Sequence, residues 1–308
     1  MKIAYCSDLH LEWGMIELKN EQNADVLILA GDICVANQLL PIADTYSYSS
    51  AAKRRDQVID FFVNCAKEFK DVIYIAGNHE HYNGDFAKTY DILKENLGFI
   101  NNLHILDKEK VTIGDVTFLG GTLWTDFNNQ DEVTMFQIRK LMNDFNLIKN
   151  SDNQIGYWSE EYERNEYGQA IMDDNGRPKI KSRTRHYRDA IFTPDDAYQD
   201  HLKYLQLILN TVDADEDHYS KFIVISHHQP SNQSVHPIYA HDYVMNGGYR
   251  SNLDFIIEDR PQIKCWFAGH THHQFGYNIG MTKVLCNPRG YIGQEQRANE
   301  FKLEYVEV

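Results

Sequence analysis

The sequence predicts an α/β protein built on mostly parallel sheets. Two observations carry this expectation. Short apolar runs recur along the chain, and each ends in glycine or in a cluster of polar, chemistry-bearing residues. Segments with helical spacing of apolar residues separate several of these runs, the alternation expected of sheets rich in parallel strands.

Lys2 to Cys6 reads as a strand ending at Asp8. Asp25 to Ala30 reads as a second, ending at Gly31-Asp32. Tyr46 to Ser50 is polar and reads as a loop. Ala51 to Phe69 has Val58, Ile59, Phe62, Val63 and Ala66 at helical spacing. Its basic start, Lys53-Arg54-Arg55, opposes the helix dipole and fits a solvated face or a functional cluster. Val72 to Ala76 is a buried strand, and Gly77-Asn78-His79-Glu80 follows it. Phe86 to Leu97 reads as a helix stopped at Gly98. Val111 to Ile113 and Val116 to Gly120 flank the turn Gly114-Asp115, which predicts an antiparallel hairpin.

From about 128 to 190 the chain is polar, with charged and aromatic residues mixed, and ends in the basic run 181–188. This stretch reads as an insertion with some helix, flanking or covering a site, in a chain otherwise forming one domain over 1–308. Thr193-Pro194-Asp195-Asp196 opens a helix, with threonine as cap, proline at the first position and acids at the positive end. That helix is expected to reach Leu209. Lys221 to Ser226 is a strand ending at His227-His228. Ser251 to Glu258 reads as a short helix. Ile263 to Ala268 is a strand ending at Gly269-His270-Thr271-His272, and the tail, over Phe275 to Ile279, Lys283 to Cys286 and Phe301 to Val306, is β-rich.

Net charge is −15 at pH 7, so the chain repels polyanions. Non-specific binding to long nucleic acid or to an acidic membrane surface therefore lacks its usual electrostatic footprint. The first residues have too short an apolar run for a signal peptide, and Asp8 interrupts it. No stretch is long enough to cross a bilayer. The five cysteines are scattered and never in CxxC spacing, which predicts reduced thiols and a cytoplasmic protein. Cys6, Cys265 and Cys286 lie in apolar runs and are expected to fill core volume.

Parallel strands deliver the residues at their ends to one edge of a sheet. The clusters would therefore converge, bringing together Asp8, His10, Asp32, Asn78, His227, His270 and His272. Carboxylate, carboxamide oxygen and imidazole suit manganese, iron, zinc, cobalt or nickel, and manganese is the first expectation. Cysteine is missing from the set, which argues against structural zinc. Seven ligands exceed one metal's needs and suit two, with one carboxylate bridging. Two such ions roughly 3.5–4 Å apart can hold a hydroxide and clamp a phosphoryl group. His79 stands beside an expected ligand and is free to bind the phosphate or protonate the leaving oxygen.

In order, these motifs read D-x-H, G-D, G-N-H-E, H-x and G-H-x-H. They resemble those of the calcineurin-like metallophosphoesterase superfamily, over residues 1 to about 125 and 191 to about 295. The resemblance implies a four-layer αββα sandwich of two mixed sheets flanked by helices. It implies that Asp8, His10 and His272 hold one metal, that Asn78, His227 and His270 hold the other, and that Asp32 bridges them. Gly31-Asp32 is followed by Ile33-Cys34-Val35-Ala36, without the arginine of the longer G-D-x-V-D-R-G motif. That departs from the protein phosphatases, while Gly121-Thr122-Leu123-Trp124-Thr125-Asp126-Phe127 looks more like the bacterial and phage phosphohydrolases.

His228 neighbours His227 and is an alternative ligand; the family pattern favours His227 and leaves His228 for substrate or backbone. Glu80 is expected to orient its neighbours. Arg183, Arg185 and Arg188 have the chemistry to meet a substrate phosphate, or else form a solvated face. Tyr157, Trp158 and Tyr187 have the rings to stack on a base, or else pack within the insertion. The expected activity is hydrolysis of a phosphomonoester or phosphodiester, a small nucleotide or other small phosphate ester. A nuclease of the same superfamily and a non-catalytic interaction scaffold are the alternatives.

Overall fold

A computed structural model describes residues 1–41, 50–215 and 219–308 of the chain. The loop expected at Tyr46 to Ser50 lies outside the described residues, apart from Ser50, which begins the first helix. In chain order the elements are β1 (Lys2–Cys6), β2 (Val26–Ala30), α1 (Ser50–Glu68), β3 (Asp71–Ile75), α2 (Thr89–Leu97), β4 (Leu103–Ile105), β5 (Glu109–Ile113) and β6 (Val116–Gly120). Then come α3 (Phe127–Gln130), α4 (Glu132–Leu141), α5 (Asp144–Leu147), β7 (Lys149–Tyr162) and β8 (Ile180–Ile191). The chain closes with α6 (Pro194–Asp213), β9 (Lys221–Ile225), α7 (Tyr243–Tyr249), α8 (Asp254–Glu258), β10 (Ile263–Ala268), β11 (Phe275–Ile279), β12 (Thr282–Cys286), α9 (Gln296–Glu300) and β13 (Glu304–Glu307).

Two mixed sheets hold the fold. The first runs β13-β1-β2-β3-β4, with β1 to β4 parallel and β13 antiparallel at its edge. The second runs β11-β12-β10-β9-β6-β5, with a parallel centre and antiparallel strands at both edges. Side chains alternate across each strand, so a single run serves two cores. Ile3 and Tyr5 of β1 meet Ile223 and Ile225 of β9 between the sheets. Ala4 and Cys6 face outward, into a core with Val58 and Phe62 of α1 and Leu93 of α2. Phe222 and Val224 of β9 likewise face Tyr204 and Ile208 of α6 and Ile257 of α8. The result is four layers: helices, sheet, sheet, helices. Each fully buried Ile, Leu or Phe contributes about 1.5–3 kcal/mol, which is what drives the layers together.

The capping box of α6 forms as its sequence announces, with Thr193 and Asp196 reciprocally bonded and Pro194 in the first turn. The helix runs four residues past Leu209, to Asp213. Three other expected bounds change. Phe86–Lys88 is a 3-10 turn rather than the start of α2. The helix expected from Ser251 begins only at Asp254, and the last strand lies at Glu304–Glu307. The basic start of α1 is structural: Arg54 Nη1 donates to the Leu11 carbonyl at 2.8 Å, and Arg55 Nε to that of Leu39 at 2.7 Å. All five cysteines are buried and unpaired.

Between β6 and α6, α4 and α5 pack Ile138, Phe145 and Ile148 against Trp124, Phe192 and Ala197. Beyond them β7 and β8 form an antiparallel ribbon exposed on both faces. Its root is tied to the loop after His81. Lys149 N donates to Gly84 O at 3.0 Å, and Ser151 N to Asp85 Oδ1 at 3.0 Å.

Candidate active site

The C-terminal ends of β1, β2 and β3 in one sheet and of β9 and β10 in the other meet along a single edge. Asp8 and His10 follow β1, Asp32 follows β2, Asn78 and His79 follow β3, His227 follows β9, and His270 and His272 follow β10. The two sheets approach closely here because glycines end the strands. Gly31 adopts φ 84°, and Cβ atoms on Gly31 and Gly77 would lie 2.5 Å from His227 Nδ1 and 2.8 Å from His227 Cε1 of the facing sheet. Asp8, His10, Asp32, His270 and His272 also have positive φ, between 46° and 73°. Such backbone costs roughly 1–3 kcal/mol per non-glycine residue and collects where side chains must be aimed.

All seven expected ligand residues converge. His10 Nε2 lies 3.0 Å from His272 Nε2, and His272 Nε2 lies 3.5 Å from Asp8 Oδ1. His227 Nε2 lies 3.3 Å from Asp32 Oδ2 and 3.1 Å from Asn78 Oδ1. The near atoms of Asp8, His10 and His272 all fall within 4.8 Å of one another, as do those of Asp32, His227 and His270. Asp32 Oδ2 also lies 3.9 Å from His10 Nε2, between the two groups.

The outward nitrogens of three of these rings are already committed. His10 Nδ1 donates to Glu12 Oε1 at 3.1 Å, His227 Nδ1 to Ala30 O at 2.9 Å, and His272 Nδ1 to Glu295 Oε1 at 2.7 Å. A neutral ring donating from Nδ1 has a bare lone pair at Nε2. Those lone pairs face one another and face carboxylate and carboxamide oxygens. His270 Nε2 is buried with no hydrogen-bond partner. Inward lone pairs and carboxylates, with second nitrogens held by carboxylate or carbonyl, are the donor set of a metal site. The residues present therefore fit divalent cations.

Burial would lower His227, but Asp32 outweighs it and raises the ring to about 10, so its Nε2 holds a proton toward Asp32 that a bound cation would displace. Burial alone would raise the Asp32 carboxyl, but His227 and His79 outweigh it and hold it well below the usual carboxylate range. Burial holds His270 and His228 well below the ordinary imidazole value. For His79, burial is outweighed by Asp32 and Glu12, and its value rises to about 9.

His79 stands beside these groups. Its backbone N–H donates to Asp32 Oδ1 at 2.8 Å, and its ring stacks on Tyr82 with centroids 4.2 Å apart. Tyr291 Oη lies 3.2 Å from its Nε2. Glu80 does what its position predicts. Its carboxylate accepts from the backbone N–H of Asp32, Ile33 and Gly77, at 2.7–2.9 Å, and from the Tyr74 hydroxyl at 2.8 Å. It thereby fixes the Asp32 loop to the Asn78 loop.

His228 is buried, its ring against Trp124 and 4.2 Å from that of His270. Arg183 and Arg185 are not brought to the histidines. They stand on exposed β8, where Arg183 pairs with Glu160 at 2.9 Å and Arg185 lies over the Tyr187 ring. Tyr157, Trp158 and Tyr187 are 47%, 62% and 57% exposed, and within the ribbon Tyr157 stacks on His186 with centroids 5.3 Å apart.

Sequence reasoning missed Glu12, Tyr82, Asp144, Tyr291 and Glu295. Glu12 carried a signal: in Asp8-Leu9-His10-Leu11-Glu12 the leucines are fully buried and the polar residues alternate with them. Tyr82 sits four residues past Asn78 and accepts from its Nδ2 at 3.2 Å. Nothing local ties Asp144, Tyr291 or Glu295 to the site.

Fold and site together define a two-sheet α/β protein with a carboxylate–imidazole cluster suited to metal at one sheet edge. The chain belongs to the calcineurin-like phosphoesterase family, whose sequence profile matches residues 1–171. Its members are dinuclear-metal-dependent phosphoester hydrolases. An uncharacterized protein of Acanthamoeba polyphaga mimivirus is 24% identical, over 99% of this chain and 96% of that protein. The fold is similar to that of phosphopantetheinyl hydrolase from Mycobacterium tuberculosis, with a TM-score of 0.61 and 14% identity over 99% of this chain and 95% of that one. Among the described residues, no helix is long and apolar enough to cross a membrane.

Proposed function

We propose that this chain hydrolyses a small phosphate ester, a nucleotide or another small monoester or diester, with two divalent cations bound. Asp8, His10 and His272 would hold one cation, Asn78, His227 and His270 the other, and Asp32 both. The observation that carries this reading is the convergence of inward-facing Nε2 atoms and carboxylates, above all the buried and unpartnered Nε2 of His270. Manganese is the first choice, with iron, zinc, cobalt or nickel as alternatives. Such a pair, when bound, supplies a nucleophile at neutral pH and neutralises the phosphoryl oxygens.

The chain's own residues do the rest. His79, partly open to solvent and aimed past Asp32, hydrogen-bonds the phosphate or gives a proton to the leaving oxygen. Glu80 keeps the Asp32 and Asn78 loops in register. His227 rather than His228 is the ligand, because its Nε2 faces Asp32 and Asn78 while the His228 ring lies against Trp124. His228 lines the far side of His270. The chain acts as one domain over 1–308, with 128–190 flanking the site. Asp144 of α5 supports this, since the Tyr82 hydroxyl lies 3.5 Å from its Oδ2. Five buried thiols fit a reducing, cytoplasmic setting.

One observation favours a second reading, a nuclease acting on short single strands. Exposed Trp158, Tyr187 and Arg185 form a platform of the kind that stacks bases. A panel separates the two. Purified protein with Mn²⁺ is assayed on aryl phosphate, bis-aryl phosphate, cyclic and linear nucleotides, and single-stranded DNA. Turnover of the small esters supports the main reading. Turnover of DNA alone supports the second, and turnover of none contradicts both.

A further inference from the structure

We infer that Glu12 is a positioning residue whose single carboxylate oxygen fixes the protons of both His10 and His79. The inference deepens the reading above, since it rests on His10 as ligand and His79 as acid. Glu12 Oε1 lies 3.1 Å from His10 Nδ1 and 3.2 Å from His79 Nδ1. The two rings meet edge to face, with centroids 4.5 Å apart. The Glu12 side chain is only 13% exposed, and its other oxygen, Oε2, is buried without a hydrogen-bond partner.

A carboxylate only accepts, so both Nδ1 atoms must carry hydrogen. Both Nε2 atoms then turn to the opposite side. His10 Nε2 faces His272 Nε2 as a bare lone pair, the form a ligand needs. His79 Nε2 faces Tyr291 and Asp32 Oδ2, and becomes the ring's one nitrogen able to pass a proton toward the site. In the step itself the Nε2 proton goes to the leaving oxygen, while the ring keeps its Nδ1 proton on Glu12. One oxygen thus ties the ligand state of one ring to the donor state of the other.

The local sequence supplies this carboxylate by simple alternation. Leu9 and Leu11 are fully buried in the core beneath α1. Asp8, His10 and Glu12 fall on the other side, toward the site. Leu11 N also donates to Ile33 O at 2.9 Å, which pins the segment beside the Asp32 loop.

Glu12→Gln keeps the shape and removes the charge, and it tests the inference through two readouts. The first is ¹⁵N-histidine NMR of metal-depleted protein at alkaline pH, so that no metal sets the tautomer, with His10 and His79 assigned by their loss in His10→Gln and His79→Gln. Wild type should show both His10 and His79 as fixed Nδ1–H forms, and the variant should show mixed tautomers. The second is the leaving-group dependence at saturating Mn²⁺. An alkyl phosphate needs a proton donor and a nitrophenyl phosphate does not. The alkyl rate should therefore fall on the order of 10²-fold, and the ratio of alkyl to aryl rates by at least about 10-fold. Glu12→Asp should recover part of that ratio, and it serves as the test variant if Gln does not fold. Equal losses on both esters, or unchanged tautomers, overturn the inference. If wild type cleaves neither ester, the phosphoesterase reading fails, and the NMR readout still decides the role of Glu12.

Discussion

The Nε2 atoms of His10 and His272 stand 3.0 Å apart although 262 positions separate the two residues in the chain. They come from different sheets. Each ring donates its other nitrogen to a glutamate, Glu12 or Glu295, so the facing atoms are both acceptors. Two acceptors this close, with Asp8 beside them, are stable only with a proton or a cation between them. The near atoms of Asp32, His227 and His270 gather beside this group within 4.8 Å of one another.

His79→Gln should lower kcat by about 10²–10⁴-fold, the usual worth of a positioned acid. Metal content should stay at the wild-type level, because His79 faces the site without joining either proposed ligand set. Parallel kinetics and elemental analysis check this, and loss of metal in the variant would make His79 a ligand instead.

Gly77→Ala places a methyl group 2.2 Å from Asp32 Oδ1 and 2.8 Å from His227 Cε1. Neither the backbone nor these buried side chains can move away cheaply. The expected loss is about 1–3 kcal/mol of stability, as for overpacked cores. Weaker Mn²⁺ binding should accompany it, since Asp32 is the group displaced. Denaturant unfolding and a metal titration on the same variant measure both.

His201 on α6 gives a pH prediction away from the proposed metal ligands. Its ring is buried, and Nδ1 donates to the Leu123 carbonyl at 2.9 Å. Burial holds its pKa below the ordinary imidazole value. The unfolded chain therefore takes up a proton that the folded chain refuses. Its contribution is fully present above about pH 6.5 and is lost as pH falls below that value. In His201→Gln, stability measured between pH 7 and 5 should decline less steeply than in wild type.

Much of the site was legible because strand ends announce themselves. Apolar runs stop at Asp8, Gly31-Asp32, Gly77-Asn78, His227 and Gly269-His270, and parallel pairing then has to gather those residues. The helices around the sheets were legible from spacing and, at Thr193, from a cap. The β7–β8 ribbon was not, because both its faces are exposed and its sequence has no apolar alternation to read. The carboxylate Glu295 and the ring of Tyr291 were hidden for a different reason. They reach His272 and His79 from the loop after β12, and only the tertiary fold sets that proximity.

Cation binding shared through Asp32 is what the proposed activity requires first. The most direct measurement is calorimetric titration of Mn²⁺ into metal-depleted protein, with elemental analysis of the product. Two ions per chain in wild type, and at most one in Asp32→Ala with the fold intact by circular dichroism, is the predicted result. No bound ion in wild type, or two retained in Asp32→Ala, would contradict it.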